Sequence, residues 1–467
     1  MQVFTEKPLC FEIDKSILRK HDRLDVHFLH PHYLGLEQRL EKSPYELKTL
    51  AQISKQIVCG STPKDYYPFA QNGIIFLKTV NVQDGILNLK DKHYISVDSH
   101  NKRKYSEVRK GDLLLTIIGA NEEVVGRIVL IREDIVANIN QNIAKIRIKD
   151  EILPEYVEAF LSTSIGRDLI LQMSRTATRV NMNLKEVESI KVPLPPKNVQ
   201  EKIIKIMEGA RAKKKKNLKE VEKLRKELDD FFLKEISLEY PEEKEEIVFI
   251  IELDERLDPY YYHSRFSQII DFLKKGKFEL KKLKEVVKFS NEQINPKKEP
   301  NRLFKYIQIQ NIDEINHKIS SYTPVLGKDA PGRARMLIKE GDILLPILGG
   351  SLKSVAIVPK EFDNEVATNG FTISRISDKN LRYYVFYYLI TKFAQMQIER
   401  QLTGAIMSSI SKYELENLLI PLPASITQER IANKIKEVNT EIEGLQKETE
   451  DVIDKAKEEV EKMIIGG

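Results

Sequence analysis

Short apolar runs and long periodic stretches alternate along the chain. Gly73 to Lys78, Asp112 to Gly119, Val124 to Ile131 and Ile143 to Ile148 are brief, rich in Ile, Val and Leu, and bounded by Gly, Asn or Asp. That pattern predicts β-strands. Tyr306 to Ile309, Asp342 to Leu348, Ser354 to Val358 and Phe371 to Ile376 repeat it later. Each set of strands is followed by apolar residues at helical spacing, Tyr156, Val157, Phe160, Leu161, Leu169, Ile170 and Met173 first, then Tyr383, Tyr384, Phe386, Tyr387, Ile390 and Phe393. The aromatic stripe of the second set reads as core packed on a sheet.

Beyond Pro193-Leu194-Pro195, and again beyond Pro421-Leu422-Pro423, the spacing changes to alternating steps of four and three. Ile203, Met207, Ala210, Val221, Leu224, Leu228 and Phe231 carry it first; Ile431, Ile435, Val438, Ile442, Leu445, Thr449, Val452 and Ala456 carry it second. With Lys and Glu on the flanks, this predicts two coiled-coil helices, each supplying the other's partner. A helix from about Gln200 to Ile236 spans on the order of 55 Å at 1.5 Å per residue. Paired antiparallel, two such rods would hold two globular units apart about a pseudo-twofold axis, a geometry suited to DNA half-sites about one helical turn, roughly 34 Å, apart.

The chain is therefore written twice. Arg23-Leu24-Asp25 returns as Arg256-Leu257-Asp258, and Gly111-Asp112 as Gly341-Asp342. Val136-Ala137 matches Val366-Ala367, Ile146 matches Ile376, and Glu201-Lys202-Ile203 matches Glu429-Arg430-Ile431. The expected architecture is α+β, with two tandem globular domains separated by two long helices that form an antiparallel coiled coil. The boundaries expected are 1–196 and 239–423 for the globular domains, and 197–238 and 424–467 for the helices.

Composition adds limits. The chain has 467 residues, 41% hydrophobic and 31% charged, enough apolar material for two to four packed domains. A net charge of +5 leaves any nucleic-acid contact to local basic patches. Cys10 and Cys59 alone exclude a disulfide scaffold and a thiolate-rich zinc site. No apolar run approaches the roughly 18 residues of a membrane span, and no signal-like segment opens the chain, so the expected location is the cytoplasm.

A catalytic reading finds little support. Gly276-Lys277 and Gly327-Lys328 are not followed by the Ser or Thr of a phosphate-binding loop. Asp258-Pro259-Tyr260-Tyr261 resembles the Asp-Pro-Pro-Tyr of amino-methyltransferases, but it lacks the second Pro and a Gly-rich cofactor loop. His27, His30 and His32 fit no regular ligand face, so surface or capping roles are expected.

What remains is polar loops. Arg pairs with guanine, and Asn or Gln with adenine. In the first unit the candidate DNA contacts are Ser61, Thr62, Lys64, Tyr67, Lys78, Asn81, Arg103, Asn140 from the run Asn138 to Asn142, and Arg179. In the second they are Gln308, Gln310, Arg333, Arg335, Lys353, Asn369 and Thr403. Arg103 and Arg333 share an offset of 230, which suggests a common phosphate-positioning role. The run Arg211 to Lys216 reads first as an exposed charged face and second as a phosphate-contacting strip.

Cys59-Gly60-Ser61-Thr62-Pro63 with Tyr66-Tyr67, Gly73-Ile74-Ile75-Phe76 and Lys78-Thr79-Val80-Asn81, then Gly332-Arg333-Ala334-Arg335, Thr403-Gly404-Ala405-Ile406 and Ile420-Pro421-Leu422-Pro423, occur in a particular order. In this order, and written twice, the chain resembles the specificity subunit of type I restriction–modification systems, over nearly its whole length. Members often carry Gly-Gly-Thr-Pro where this chain has Cys59-Gly60-Ser61-Thr62-Pro63, and the second unit, with Ser290-Asn291-Glu292-Gln293, lacks the turn. The resemblance implies a non-catalytic subunit with no cofactor or metal of its own that reads a bipartite, asymmetric site in double-stranded DNA. Two methyltransferase subunits, using S-adenosylmethionine for adenine-N6 methylation, and restriction/translocase subunits using ATP and Mg²⁺ would assemble on it. The alternatives are the specificity chain of a related type II methyltransferase–nuclease complex, or a fused enzyme that itself catalyses.

Overall fold

The computed structural model describes residues 25–64, 73–176, 180–240, 259–403 and 408–465. The chain divides into two compact units, Met1–Leu218 with Leu445–Gly467, and Lys219–Gly444.

In the first unit eight strands form two four-stranded sheets. The strands are β1 (Ser54–Cys59), β2 (Ile74–Leu77), β3 (His93–Ile95), β4 (Glu107–Val108), β5 (Asp112–Thr116), β6 (Ile128–Leu130), β7 (Ala137–Ile139) and β8 (Ile143–Ile148). One sheet has the order β6-β5-β8-β1, all antiparallel, and the other β3-β2-β7-β4, in which only β2 and β7 run parallel. Strands β5 and β6 are buried at every position, which is why they read as continuous apolar runs instead of alternating ones. Helices α1 (Pro154–Leu161) and α2 (Ser164–Met173) follow. Tyr156, Phe160, Leu169 and Ile170 of these helices join Leu113, Leu115 and Ile146 of the sheet in one core. A long helix, α3 (Lys197–Glu235), ends the first repeat.

The second unit repeats the plan strand for strand. Its strands are β9 (Lys288–Ser290), β10 (Leu303–Ile307), β11 (Thr323–Leu326), β12 (Ala334–Ile338), β13 (Ile343–Pro346), β14 (Ala356–Ile357), β15 (Glu365–Thr368) and β16 (Phe371–Arg375). The sheet orders, β14-β13-β16-β9 and β11-β10-β15-β12, match those of the first unit, and β10 and β15 are again the parallel pair. Helices α4 (Lys379–Ile390) and α5 (Lys392–Arg400) follow, and the long α6 (Ser425–Ile465) ends the second repeat.

Internal bonds recur with the strands. Arg147 grips buried Asp112 through two hydrogen bonds of 2.7 and 2.8 Å, and Arg375 grips Asp342 at the same two distances. Tyr156 donates its hydroxyl to the carbonyl of Pro193, as Tyr384 does to that of Pro421. Gln200 and Gln428 donate their amides to the carbonyls of Pro195 and Pro423. Asn183 with Glu186, and Ser411 with Glu414, form capping boxes at equivalent helix starts.

These bonds correct part of the sequence alignment. Val108 faces Ala137, whereas Ile338, 230 positions after Val108, faces Glu365; Arg147 corresponds to Arg375. Strands β7 and β8 therefore correspond to β15 and β16 at an offset of 228. The sequence matches of Val136-Ala137 to Val366-Ala367 and of Ile146 to Ile376 are each wrong by two residues. The connections between β5 and β7 have different lengths in the two copies.

The two units differ in how their cores meet α3. In the first, Glu158 of α1 is fully buried and accepts from the Leu130 N–H (2.7 Å), from Arg132 (2.7 Å) and from Arg211 of α3 (2.5 Å). In the second, the position 228 residues on is Phe386, and contact with α3 is aromatic. Buried Phe232 lies 5.8 Å from the Tyr384 ring and 4.8 Å from that of Tyr387, centroid to centroid.

Helices α3 and α6 pair antiparallel. In the first unit Ile203, Met207 and Ala210 share a core with Ala456, Val460 and Ile464. Asn217, also buried, donates to the Leu445 carbonyl (3.3 Å), Glu448 (2.9 Å) and Thr449 (3.0 Å), so ascending numbers on α3 meet descending ones on α6. In the second unit Arg430 pairs with Glu235. Within the run Arg211 to Lys216, Arg211 pairs with Glu158 and Lys213 with Glu448, while Lys215 and Lys216 are exposed.

Candidate nucleic-acid interface

In the first unit, polar side chains meet where β1 ends and β7 turns into β8. Gly60 brings the two segments together: its N–H donates to the Asn140 carbonyl, and a Cβ at this position would come within 1.7 Å of the Ile139 carbonyl oxygen. The next residues are thereby fixed against two loops. Ser61 Oγ accepts from Arg103 Nε (3.0 Å) and lies 3.1 Å from the Tyr105 hydroxyl. Thr62 Oγ1 donates to Gln141 Oε1 at 2.6 Å. Gln141, Thr62, Ser61 and Arg103 thus form a continuous polar row, and Lys64 is exposed beyond it.

The loop carrying Arg103 and Tyr105 is pinned from beneath. The ammonium of Lys145 on β8, buried in the sheet, donates to the carbonyls of Tyr105 (2.8 Å) and Glu107 (2.9 Å). Asn138 Nδ2 donates to the Arg103 carbonyl and to Ser106 Oγ, and Asn138 Oδ1 lies 2.6 Å from His100 Nδ1. Burial pushes the Glu107 carboxyl up, but hydrogen bonds from Lys104 and Arg109 outweigh it and hold the group at about 2.

Burial lowers Lys145 to about 8. Its folded-state value lies below that of the free side chain, so between about pH 8 and 10.5 the unfolded chain holds more protons and stability rises with pH. Lys145→Met is expected to remove that rise, which reaches up to about 1.4 kcal/mol per pH unit. Urea unfolding of the wild type and variant at pH 7.5 and 9.5 measures it; equal slopes would refute the assignment. The second unit has Ile373 at the equivalent position, fully buried.

The second unit builds its corresponding surface with different residues. Asn369 follows β15, and its backbone N–H donates to the Arg333 carbonyl (2.9 Å); both residues are exposed. Arg335 donates to the Gly332 carbonyl and is exposed. Exposed Gln293, which the sequence reading passed over, bridges to Met336 at the place where the first unit has Ser61.

Several candidates lie elsewhere. Asn81 is buried; its Oδ1 accepts from the Lys78 N–H, and its Nδ2 donates to the carbonyls of Asn88 and Asp91. This amide is spent on shaping its own turn, as is that of Asn311 in the second unit, which takes the Gln308 N–H and donates to Ser321. Asn140 is likewise buried and accepts from the Asn142 N–H. The Asn81 amide is therefore scaffold, with donor and acceptor both used within its own turn, whereas Asn140 uses its acceptor in the turn to β8. The Lys78 side chain is half-buried at the start of the Asn81 turn. Gln308 donates to the Thr323 hydroxyl (3.0 Å), and Gln310 is exposed on the next turn. Lys353 is exposed, with its carbonyl 3.1 Å from His317 Nδ1, and Thr403 pairs with Ser409 through the backbone. Tyr67 and Arg179 lie outside the described residues, as does Asp258 of the Asp-Pro-Tyr-Tyr stretch.

The histidine cluster is accounted for by local bonds. His27 reaches the Leu171 carbonyl, His30 takes the His32 N–H, and His32 pairs with Asp168. Among the described residues no group of three or more His, Cys, Asp or Glu could hold a metal, and no helix is long and apolar enough to cross a membrane.

The profile of the type I restriction modification DNA specificity domain matches residues 42–223 and again 275–453, one match per repeat. The chain belongs to this family. Its members supply DNA specificity, not catalysis, to type I systems. The specificity subunit of the type I restriction enzyme MjaVIII from Methanocaldococcus jannaschii is 25% identical over 419 residues, 86% of each chain. That of EcoBI from Escherichia coli is 33% identical over 139 residues, 30% of this chain and 28% of the relative, so this match spans less than a third of that protein. Among solved structures, the type I restriction-modification S subunit from M. genitalium is 13% identical with a TM-score of 0.42, covering 90% of this chain and 96% of that one. The HsdS subunit from Thermoanaerobacter tengcongensis is 15% identical with a TM-score of 0.31, covering 90% and 97%.

Proposed function

We propose that this specificity chain reads a bipartite, asymmetric site in double-stranded DNA, one half with each repeat, and positions two methyltransferase subunits for adenine-N6 methylation. Residues 1–196 and 239–423 act as the recognition domains, and 197–238 and 424–467 as the helices between them. The observation that carries this reading is the repeated surface at the turn from β7 to β8 and from β15 to β16, which has a polar amide and an arginine in both units but different side chains around them. A shared frame with divergent tips is what reading two different half-sites requires.

The proposed contacts are Ser61, Thr62, Lys64, Tyr67, Lys78, Arg103 and Arg179 in the first unit, and Gln308, Gln310, Arg333, Arg335, Lys353, Asn369 and Thr403 in the second. Arg103 and Arg333 serve phosphates, which set register without carrying sequence information. S-adenosylmethionine belongs to the methyltransferase partners, ATP and Mg²⁺ to restriction/translocase partners, and the complex works in the cytoplasm.

Co-expression with the modification subunit encoded beside it, followed by genome-wide mapping of methylated adenine, tests the reading. The expected mark is a split motif with fixed spacing. Methylation without such a motif, or methyl transfer by the purified chain alone, would overturn it.

A further inference from the structure

We infer that Gln141 and Asn369 are structural counterparts, and that each reads an adenine in its own half-site. This rests on the bipartite reading above. The sequence hides the correspondence, because at the offset of 230 Gln141 would match Phe371. The strand pairing removes the ambiguity. Leu77 pairs with Ile139 where Ile307 pairs with Ala367, and Asp112 holds Arg147 where Asp342 holds Arg375. Both sides of the turn are thus set at 228, which places Gln141 on Asn369.

Exposure and bonding separate these two from the other amides nearby. Asn138 and Asn140 are buried and committed to the backbone and side chains around them, whereas Gln141 and Asn369 are exposed. Each is connected by hydrogen bonds to the segment that carries one of the two matched arginines. In the first unit Gln141 reaches Arg103 through Thr62 and Ser61, and in the second the Asn369 N–H binds the Arg333 carbonyl directly. In both units an exposed carboxamide residue is therefore tied, through Thr62 and Ser61 or through the backbone, to the segment that carries the matched arginine.

The chemistry selects adenine. A carboxamide offers one donor and one acceptor side by side, the complement of adenine N7 and N6 in the major groove. The Thr62 hydroxyl donates to Gln141 Oε1 at 2.6 Å, which fixes the oxygen's position yet leaves it a second lone pair. Nε2 is then free to donate to N7 while Oε1 accepts from N6.

The test uses the full chain co-expressed with its modification subunit, with methylated adenines mapped genome-wide for the wild type, Gln141→Ala, Gln141→Glu and Asn369→Ala. Gln141→Glu keeps the acceptor for Thr62 and loses the donor. Each Gln141 variant is expected to relax one adenine position of one half-site, with discrimination there falling at least about fivefold. Asn369→Ala is expected to relax one adenine position of the other half-site, and spacing stays fixed in all three. Unchanged motifs in folded variants that still co-purify with the modification subunit would overturn the assignment and leave the bipartite reading standing. Relaxation at a base other than adenine, or at several positions at once, would overturn it too. A wild type that marks no split motif would bring down the bipartite reading itself.

Discussion

Glu158→Gln is expected to cost about 3–5 kcal/mol of stability, out of the roughly 5–15 kcal/mol that holds a typical domain folded. Its carboxylate is fully buried between Arg132 and Arg211 and also takes the Leu130 N–H. The neutral amide could still accept from Leu130, but it would leave the largely buried Arg211 guanidinium without its counter-charge, whereas Arg132, with a side chain 36% exposed, keeps access to water. Arg211 already has one buried nitrogen, Nη2, with no hydrogen-bond partner, so it has little to fall back on. Faster hydrogen exchange in peptides covering β6, α1 and the first half of α3, with β9 to β16 unaffected, would localise the loss. Replacing Glu158 and both arginines together with Leu or Met should recover most of it, because no charge is then stranded. A single variant as stable as the wild type would refute this account.

Phe232→Ala is expected to be comparably damaging in the second unit, at about 3–5 kcal/mol. Phe232 is fully buried on α3 against Tyr384 and Tyr387. Truncation leaves a cavity lined by rings that cannot collapse into it, since the Tyr384 hydroxyl is bonded to the Pro421 carbonyl and both rings belong to a regular helix. Exchange should rise in α4 and the second half of α3 and stay unchanged in β1 to β8. A chain of this size need not unfold in two states, so the exchange pattern is the better measure, with the urea midpoint as support. Exchange rising equally in both units would contradict it.

These two sites show where sequence reading succeeds and where it stops. The duplication, the strands, the helices and the coiled-coil period were legible because each leaves a periodic mark. Glu158 and Arg211 leave none: a charged residue on a helix reads as solvent-facing until its partners, far away in sequence, are known. Lys145 is similar, a fully buried cation inside an Ile-rich strand that also carries Arg147.

The mistaken repeat offset has a different origin. Side chains alternate with a period of two along a strand, so an alignment wrong by two residues puts every apolar residue on the correct face. Val136-Ala137 matched Val366-Ala367 for that reason, and pairing partners were needed to separate 230 from 228. The polar loops were found, but their members could not be ranked. An Asn that caps a backbone turn and one that faces a base have the same composition signal. Asn81 and Asn140 are buried, while Gln141, adjacent to Asn140, is exposed.

Gly60 carries a consequence for engineering. No side chain fits at this position, because the Ile139 carbonyl already occupies the space a Cβ would take. Anyone grafting a new recognition loop into the first unit should therefore move Gly60 to Lys64 and Ile139 to Asn142 as one cassette. Diversity can then be placed at Ser61, Thr62 and Gln141, with glycine kept invariant as the joint between the two halves of the graft.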